Sequence, residues 1–161
     1  MWRVQSNQVV LALNLADRAT GARLTVATTH LKARQGALLS TLRHEQGKDL
    51  LAWLAETAAP GGQPLLLSGD FNAEPTEPVF GAVTGAGQPG LTSAYHLDEL
   101  EFTTWKVRET GEQKHILDYI FHSEQLRPTA VLGMPSDQVK ICKSCKCKCS
   151  ESEYVSVTLL T

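Results

Sequence analysis

"LLLSGDFNAEP", residues 65–75, decides the fold, because three consecutive leucines run straight into a small, polar, acidic tip. A short run that is apolar on both faces reads as an interior strand covered on both sides. Residues i and i+2 of a strand share a face, so Asp70 and Asn72 should project together while Phe71 turns into the core. Gly69 permits an unusual backbone or the close approach of another segment. The tip has two readings. A carboxylate that positions or deprotonates water, beside a carboxamide that donates to a phosphate oxygen, suits phosphoester hydrolysis. The same two residues equally well close a strand with an Asx-type turn.

Strand and helix signals alternate on either side of this stretch. Residues 8–15 and 23–29 form an expected β-hairpin, rich in Val and Leu around a Gly-containing turn. A helix is expected over 37–57, with Leu39, Leu42, Leu50, Trp53 and Leu54 near one stripe and Gly47 weakening its middle. Pro60, Gly61 and Gly62 stop it. A brief helix is expected from Glu74 or Thr76 to Val83, then a Gly/Pro loop to Gly90, then strands at "FTTWKV" and "ILDYIFH". The pattern is that of an α/β layered domain. "GAGQPG" (85–90) matches a dinucleotide-binding pattern by letter only, since it follows a helix rather than a strand and carries Pro89.

Composition sets outer limits. A chain of 161 residues, 42% hydrophobic and 20% charged, suffices for one domain with a real core, and its net charge of -2 supplies no general basic excess to draw it onto nucleic acid. Phosphate binding must therefore come from particular residues. No apolar run approaches the roughly 20 residues of a membrane helix. "VVLALNLA" (9–16) is short like a signal-peptide core, but Asn14 interrupts it and its flank has little positive charge, so a strand is the preferred reading. All four cysteines lie in "CKSCKCKC" (142–149), which argues against a disulfide-stapled domain.

Two further segments carry chemistry. "THLKAR" (29–34) ends a strand with His30, Lys32 and Arg34, one imidazole and two cations suited to a phosphate dianion. "ILDYIF" (116–121) sets Asp118 alone among apolar residues, and burying a lone carboxylate is costly unless it has a donor, most usefully a histidine that it orients.

Taken in order, "THLKAR", "GDFNAEPTEPVF", "TTWKVRETGE" and "HILDYIF" resemble the C-terminal half of the endonuclease/exonuclease/phosphatase domain, in its deadenylase-like branch. The likeness runs from about residue 7 to the neighbourhood of 139. It implies a partial four-layer α/β sandwich over 1–140, without its N-terminal half and final strand, followed by a divergent Cys/Lys/Ser-rich tail over 141–161. The chemistry it implies is Mg²⁺-assisted attack of water on a phosphate. By resemblance, Asp70 orients or activates the water, Asn72 and His30 contact the phosphate, Asp118 holds a catalytic imidazole, and Lys32, Arg34 and Arg108 line the substrate cleft. The substrate so implied is NADP⁺ or NADPH, losing its 2′-phosphate, with 3′ shortening of poly(A) as the alternative and RNA as the corresponding partner. A monomer in the cytoplasm or mitochondrion, without membrane insertion, is expected.

The departures from the family pattern are equally specific. The family's early Asn and its metal-binding Glu have no match here, so no metal ligand is assigned in this chain. Its closing Ser-Asp-His is also unmatched: "PSDQV" (135–139) puts Gln138 where the His would stand, or in another register precedes the family's last loop. Asp118 then lacks its imidazole. The expectation is an incomplete phosphatase with impaired activity, or a non-catalytic truncated isoform acting by binding. The cysteine tail has the spacing of a thiolate cluster but suits a solvated segment equally well. "YVSVTLL" (154–160) has strand character and could occupy the place of the last strand.

Overall fold

The computed structural model describes residues 8–58, 60–85, 90–131 and 156–159. β1 (Val10–Ala16) and β2 (Arg23–His30) form the expected hairpin. Their turn is closed by Asp17, whose Oδ1 accepts from the Ala19 and Thr20 amides and the Thr20 hydroxyl. The Thr20 hydroxyl is the chief cause that lowers the Asp17 carboxyl below its ordinary pKa. α1 (Ala37–Trp53) then crosses over to β3 (Leu65–Asp70), which lies parallel to β2.

Gly47, expected to weaken the middle of α1, does not interrupt it. It is buried, and a Cβ there would stand 2.7 Å from Cγ2 of Val79, so the missing side chain is what lets α2 (Pro78–Thr84) approach. α1 ends at Trp53 and passes into a single wide turn, Leu54–Ala58, and a tight one, Pro60–Gly62.

After α2 come β4 (Thr92–Ser93), β5 (Thr104–Arg108), β6 (Gly111–His115), β7 (Asp118–His122) and β8 (Leu126–Ala130). Five strands make one mixed sheet in the order β1-β2-β3-β7-β4, while β5 and β6 form a separate hairpin. β9 (Ser156–Leu159) pairs antiparallel with β8, so part of the expected last segment is a strand. The cysteine run, Gln138 and most of "GAGQPG" lie outside the described residues. Among the described residues no helix is long and apolar enough to cross a membrane.

The core fills one side of the sheet. Ala27, Leu65, Leu67, Tyr119 and Phe121 face Leu50, Leu54, Val79 and Val83 of the helical layer. Phe71 turns inward as its position predicts and meets Tyr119 and Phe121 edge-on, at centroid distances of 5.7 and 5.2 Å. Tyr119 donates its hydroxyl hydrogen toward the carbonyl oxygens of Ala73, at 2.7 Å, and Ile116, at 2.9 Å. Burial, and then the neighbouring carboxylates of Glu74, Glu77 and Asp118, push its phenol above the ordinary value.

The other side of the sheet corrects the expectation of a strand covered twice. Leu11, Leu13 and Leu15 are 59%, 53% and 48% exposed, and Val26, Leu66 and Ile120 on the same face are only half-buried. The described residues thus form two layers, a sheet with helices on one face, and leave the opposite apolar face open.

Candidate active site

That open face carries the residues singled out in the sequence. β2 and β3 end at the same rim where the antiparallel β7 begins, and the register sets His30 opposite Asp70 and Asp70 opposite Asp118. Three residues read separately in the sequence therefore stand in one cross-strand row. Paired residues on adjacent strands point to the same face, so all three side chains belong to the open side.

Asp70 makes the Asx turn foreseen for the tip and also faces His30. Its Oδ1 accepts the Asn72 amide at 2.8 Å, an Asx turn, while its Oδ2 lies 3.5 Å from Nε2 of His30. Asn72 takes a left-handed backbone, φ 50°, which asparagine tolerates better than most residues. Its carboxamide donates one hydrogen to the Leu31 carbonyl at 3.1 Å, and a second remains on the nitrogen. Leu31 in turn donates its amide to the Asp70 carbonyl, so the ends of β2 and β3 are stitched together beyond the ladder.

Asp118 has donors, but they are hydroxyls instead of the expected histidine. Thr103 and Thr104 both donate to its Oδ2, at 3.0 and 2.8 Å. The Thr103 oxygen also accepts the amides of Leu117 and Asp118, so one hydroxyl fixes the carboxylate and the backbone that bears it. Thr103→Val should strand both amides and cost about 1–3 kcal/mol, read as a lower urea midpoint, with Thr103→Ser restoring most of it. An unchanged midpoint would remove Thr103 from this role.

The cations are placed less uniformly. Lys32, half-buried, and Arg34, exposed, stand on the loop that leaves β2 directly after His30. Arg108 closes β5, and its side chain lies outside the described residues. The Trp105 ring packs on Phe102 at 5.7 Å with the Lys114 ammonium 5.1 Å from its centroid.

Sequence reasoning missed the groups that tie these loops together. Glu74 holds Nδ1 of His115 at 2.7 Å and accepts the Ile116 amide at 3.2 Å. Arg43, 1% exposed, reaches two carbonyls and Glu77. A signal did exist, since Leu39, Arg43, Gly47, Leu50 and Leu54 recur at helical spacing and set an arginine in the apolar stripe.

A cavity of about 390 Å³, lined in part by Val10, Leu31, Leu42, Gln46, Leu50 and Trp53, opens on the helix side of the sheet. None of His30, Asp70, Asn72 and Asp118 lines it.

His30, Asp70 and Asp118 at three adjacent strand ends, with Asn72 just beyond β3 and Lys32 and Arg34 on the loop after β2, make a polar rim on an α/β sheet. The chain belongs to the endonuclease/exonuclease/phosphatase family, whose model matches residues 4–140. It is 43% identical to Nocturnin of Drosophila melanogaster over 86% of this chain and 25% of the relative. Nocturnin of Xenopus laevis is 42% identical over 84% of this chain and 36% of its own length. The human Nocturnin catalytic domain with bound sulfate anion superposes with a TM-score of 0.61 at 35% identity, over 77% of this chain and 44% of that one. The chain thus spans a quarter to about a third of the length of these curated relatives.

Enzymes of this family are generally dependent on a divalent metal. Among the described residues no three His, Cys, Asp or Glu side chains come together to hold an ion. At the rim, one carboxylate is engaged by a turn and an imidazole and the other by two hydroxyls, so these residues do not by themselves fit Mg²⁺.

Proposed function

We propose that this chain carries the water-activating part of a Nocturnin-type phosphatase that removes the 2′-phosphate of NADP⁺ or NADPH. The observation that carries the reading is the row His30, Asp70, Asp118 with Asn72 at its edge, in a relative of Nocturnin. Asp70 positions water and takes its proton, and the water oxygen attacks phosphorus as the bond to the ribose 2′-oxygen breaks. His30 and the second amide hydrogen of Asn72 meet the phosphate oxygens, where negative charge grows. Lys32, Arg34 and Arg108 balance the dianion. With Asp118 held by the Thr103 and Thr104 hydroxyls, the departing ribose oxygen takes its proton from solvent water. Dependence on Mg²⁺ belongs to the same proposal, with metal ligands drawn from beyond the described residues.

Two cations, Lys32 and Arg34, on the loop directly after His30, and a Trp105 packed on Phe102 and Lys114, favour a terminal phosphate over a stacked single strand. Residues 8–131, carried in place of the matching part of the Drosophila relative, should release inorganic phosphate from NADPH and leave labelled poly(A) at full length. Poly(A) shortening without phosphate release would overturn the reading. The 161-residue chain alone should release far less phosphate, because the face bearing the row is open to water and charge stabilisation there is screened.

A further inference from the structure

The loop that leaves β2 is held by a buried group with no part in the reaction. Arg43, on α1, donates from Nη1 to the carbonyls of Lys32, at 3.1 Å, and Arg34, at 2.7 Å, and from Nη2 to Oε2 of Glu77 at 2.6 Å. Its side chain is almost completely enclosed, and its Nε has no partner among the described residues, so its polar contacts run through the planar fork. Both carbonyls can face one guanidinium only if the chain curls around it. Arg34 accordingly sits at φ 76°, a left-handed backbone that a bulky side chain rarely adopts, and Gly36 follows at φ 129°.

The other anchor of the fork is also placed with purpose. Glu77 precedes α2 at its N-terminal boundary and ends the loop that begins with Asn72, so Arg43 clamps the loop from β2 to the loop from β3. Glu74, on that second loop, holds His115 and Ile116, which lead into Asp118. The Lys32 amide donates to Gln46, one turn along α1 from Arg43. A connected set of charged and amide contacts therefore links the cation loop, the Asn72 loop and the approach to Asp118.

We propose that Arg43 is a positioning residue that fixes Lys32 and Arg34 at the rim and so sets the preference for a phosphomonoester dianion. The choice of ligand rests on the proposed phosphatase reading, whereas the strap on the loop does not. A lysine in its place keeps the charge against Glu77 but lacks the fork that meets two carbonyls together.

Limited trypsin digestion followed by mass spectrometry reads the strap, since Lys32 and Arg34 supply the cleavage sites. In Arg43→Met, cleavage after residues 32 and 34 should rise about tenfold relative to cleavage after Lys48 and Lys106. Arg43→Lys, the milder change should Arg43→Met not fold, should raise it less and in the same place. Equal acceleration at every site, or none after 32 and 34, would overturn the strap. Equilibrium binding of NADP⁺ and NAD⁺ to the same proteins reads the preference. The 161-residue chain should favour NADP⁺ by about tenfold, Arg34→Ala and Arg43→Met should each erase that margin, and the double variant should lose no more. An Arg43→Met protein that opens its loop yet keeps the margin would overturn the positioning role. A wild-type chain that never distinguishes the two nucleotides, with trypsin still finding the loop released in Arg43→Met, would instead sink the NADP(H) reading and leave the strap standing.

Discussion

Asp70→Asn, introduced into residues 8–131 carried by the longer Drosophila relative, is expected to lower phosphate release from NADPH by about 10²- to 10⁴-fold, the usual loss when a positioned base is removed. The substitution is unusually clean. An asparagine oxygen still accepts the Asn72 amide, so the turn after β3 stands, and what disappears is the charge 3.5 Å from His30. Loss should therefore fall on turnover, with nucleotide affinity and the urea midpoint little changed. Activity within tenfold of the parent would remove Asp70 from the reaction. A folded carrier protein that is inactive with Asp70 intact would count against the assignment of this segment to the enzyme.

Gly69→Ala should be the most damaging single methyl in the chain. A Cβ at Gly69 would lie 2.0 Å from the Thr29 carbonyl oxygen, 3.0 Å from its carbon and 3.1 Å from its nitrogen, and φ is 152°. Every offending atom is backbone of Thr29, the β2 residue paired with Gly69, so no side chain can swing aside. The cost should exceed about 4 kcal/mol, a large part of the roughly 5–15 kcal/mol that holds a domain folded. The expected result is loss of cooperative unfolding or of soluble protein. Gly81→Ala, in α2 with nothing within 4 Å of the added methyl, is the control and should be neutral or stabilising by about 0.5–1 kcal/mol. A Gly69→Ala protein matching that control would show the strand ends to be looser than their register implies.

The sequence made the individual strands legible because their signals are local. Leu65–Asp70, the first hairpin and the strand at Asp118 could each be read from alternation, turn residues and an isolated acid. The weak spots were places where a long-range contact decides. Gly47 reads as a flaw in a helix until Val79 is seen against it. β6, with the polar sequence GEQKH, carries no apolar period and exists by pairing with β5. The open face was also invisible, since a run such as LLL looks the same whether one side or two are covered. At the rim, His30, Asp70, Asn72 and Asp118 were singled out in advance and the structure sets them side by side. Thr103, Thr104, Glu74 and Arg43 were not, because a group that holds another is recognisable only from the partner it meets.

One consequence follows from the row across β2, β3 and β7. The separation of its members is the spacing of neighbouring strands, about 4.8 Å, and not a matter of side-chain choice. The sheet acts as a ruler that sets His30 two strand spacings from Asp118 with Asp70 between them. A change in what such a protein consumes is then a matter for the loops after β2 and β3, whose lengths and charges can drift while the gauge stays constant.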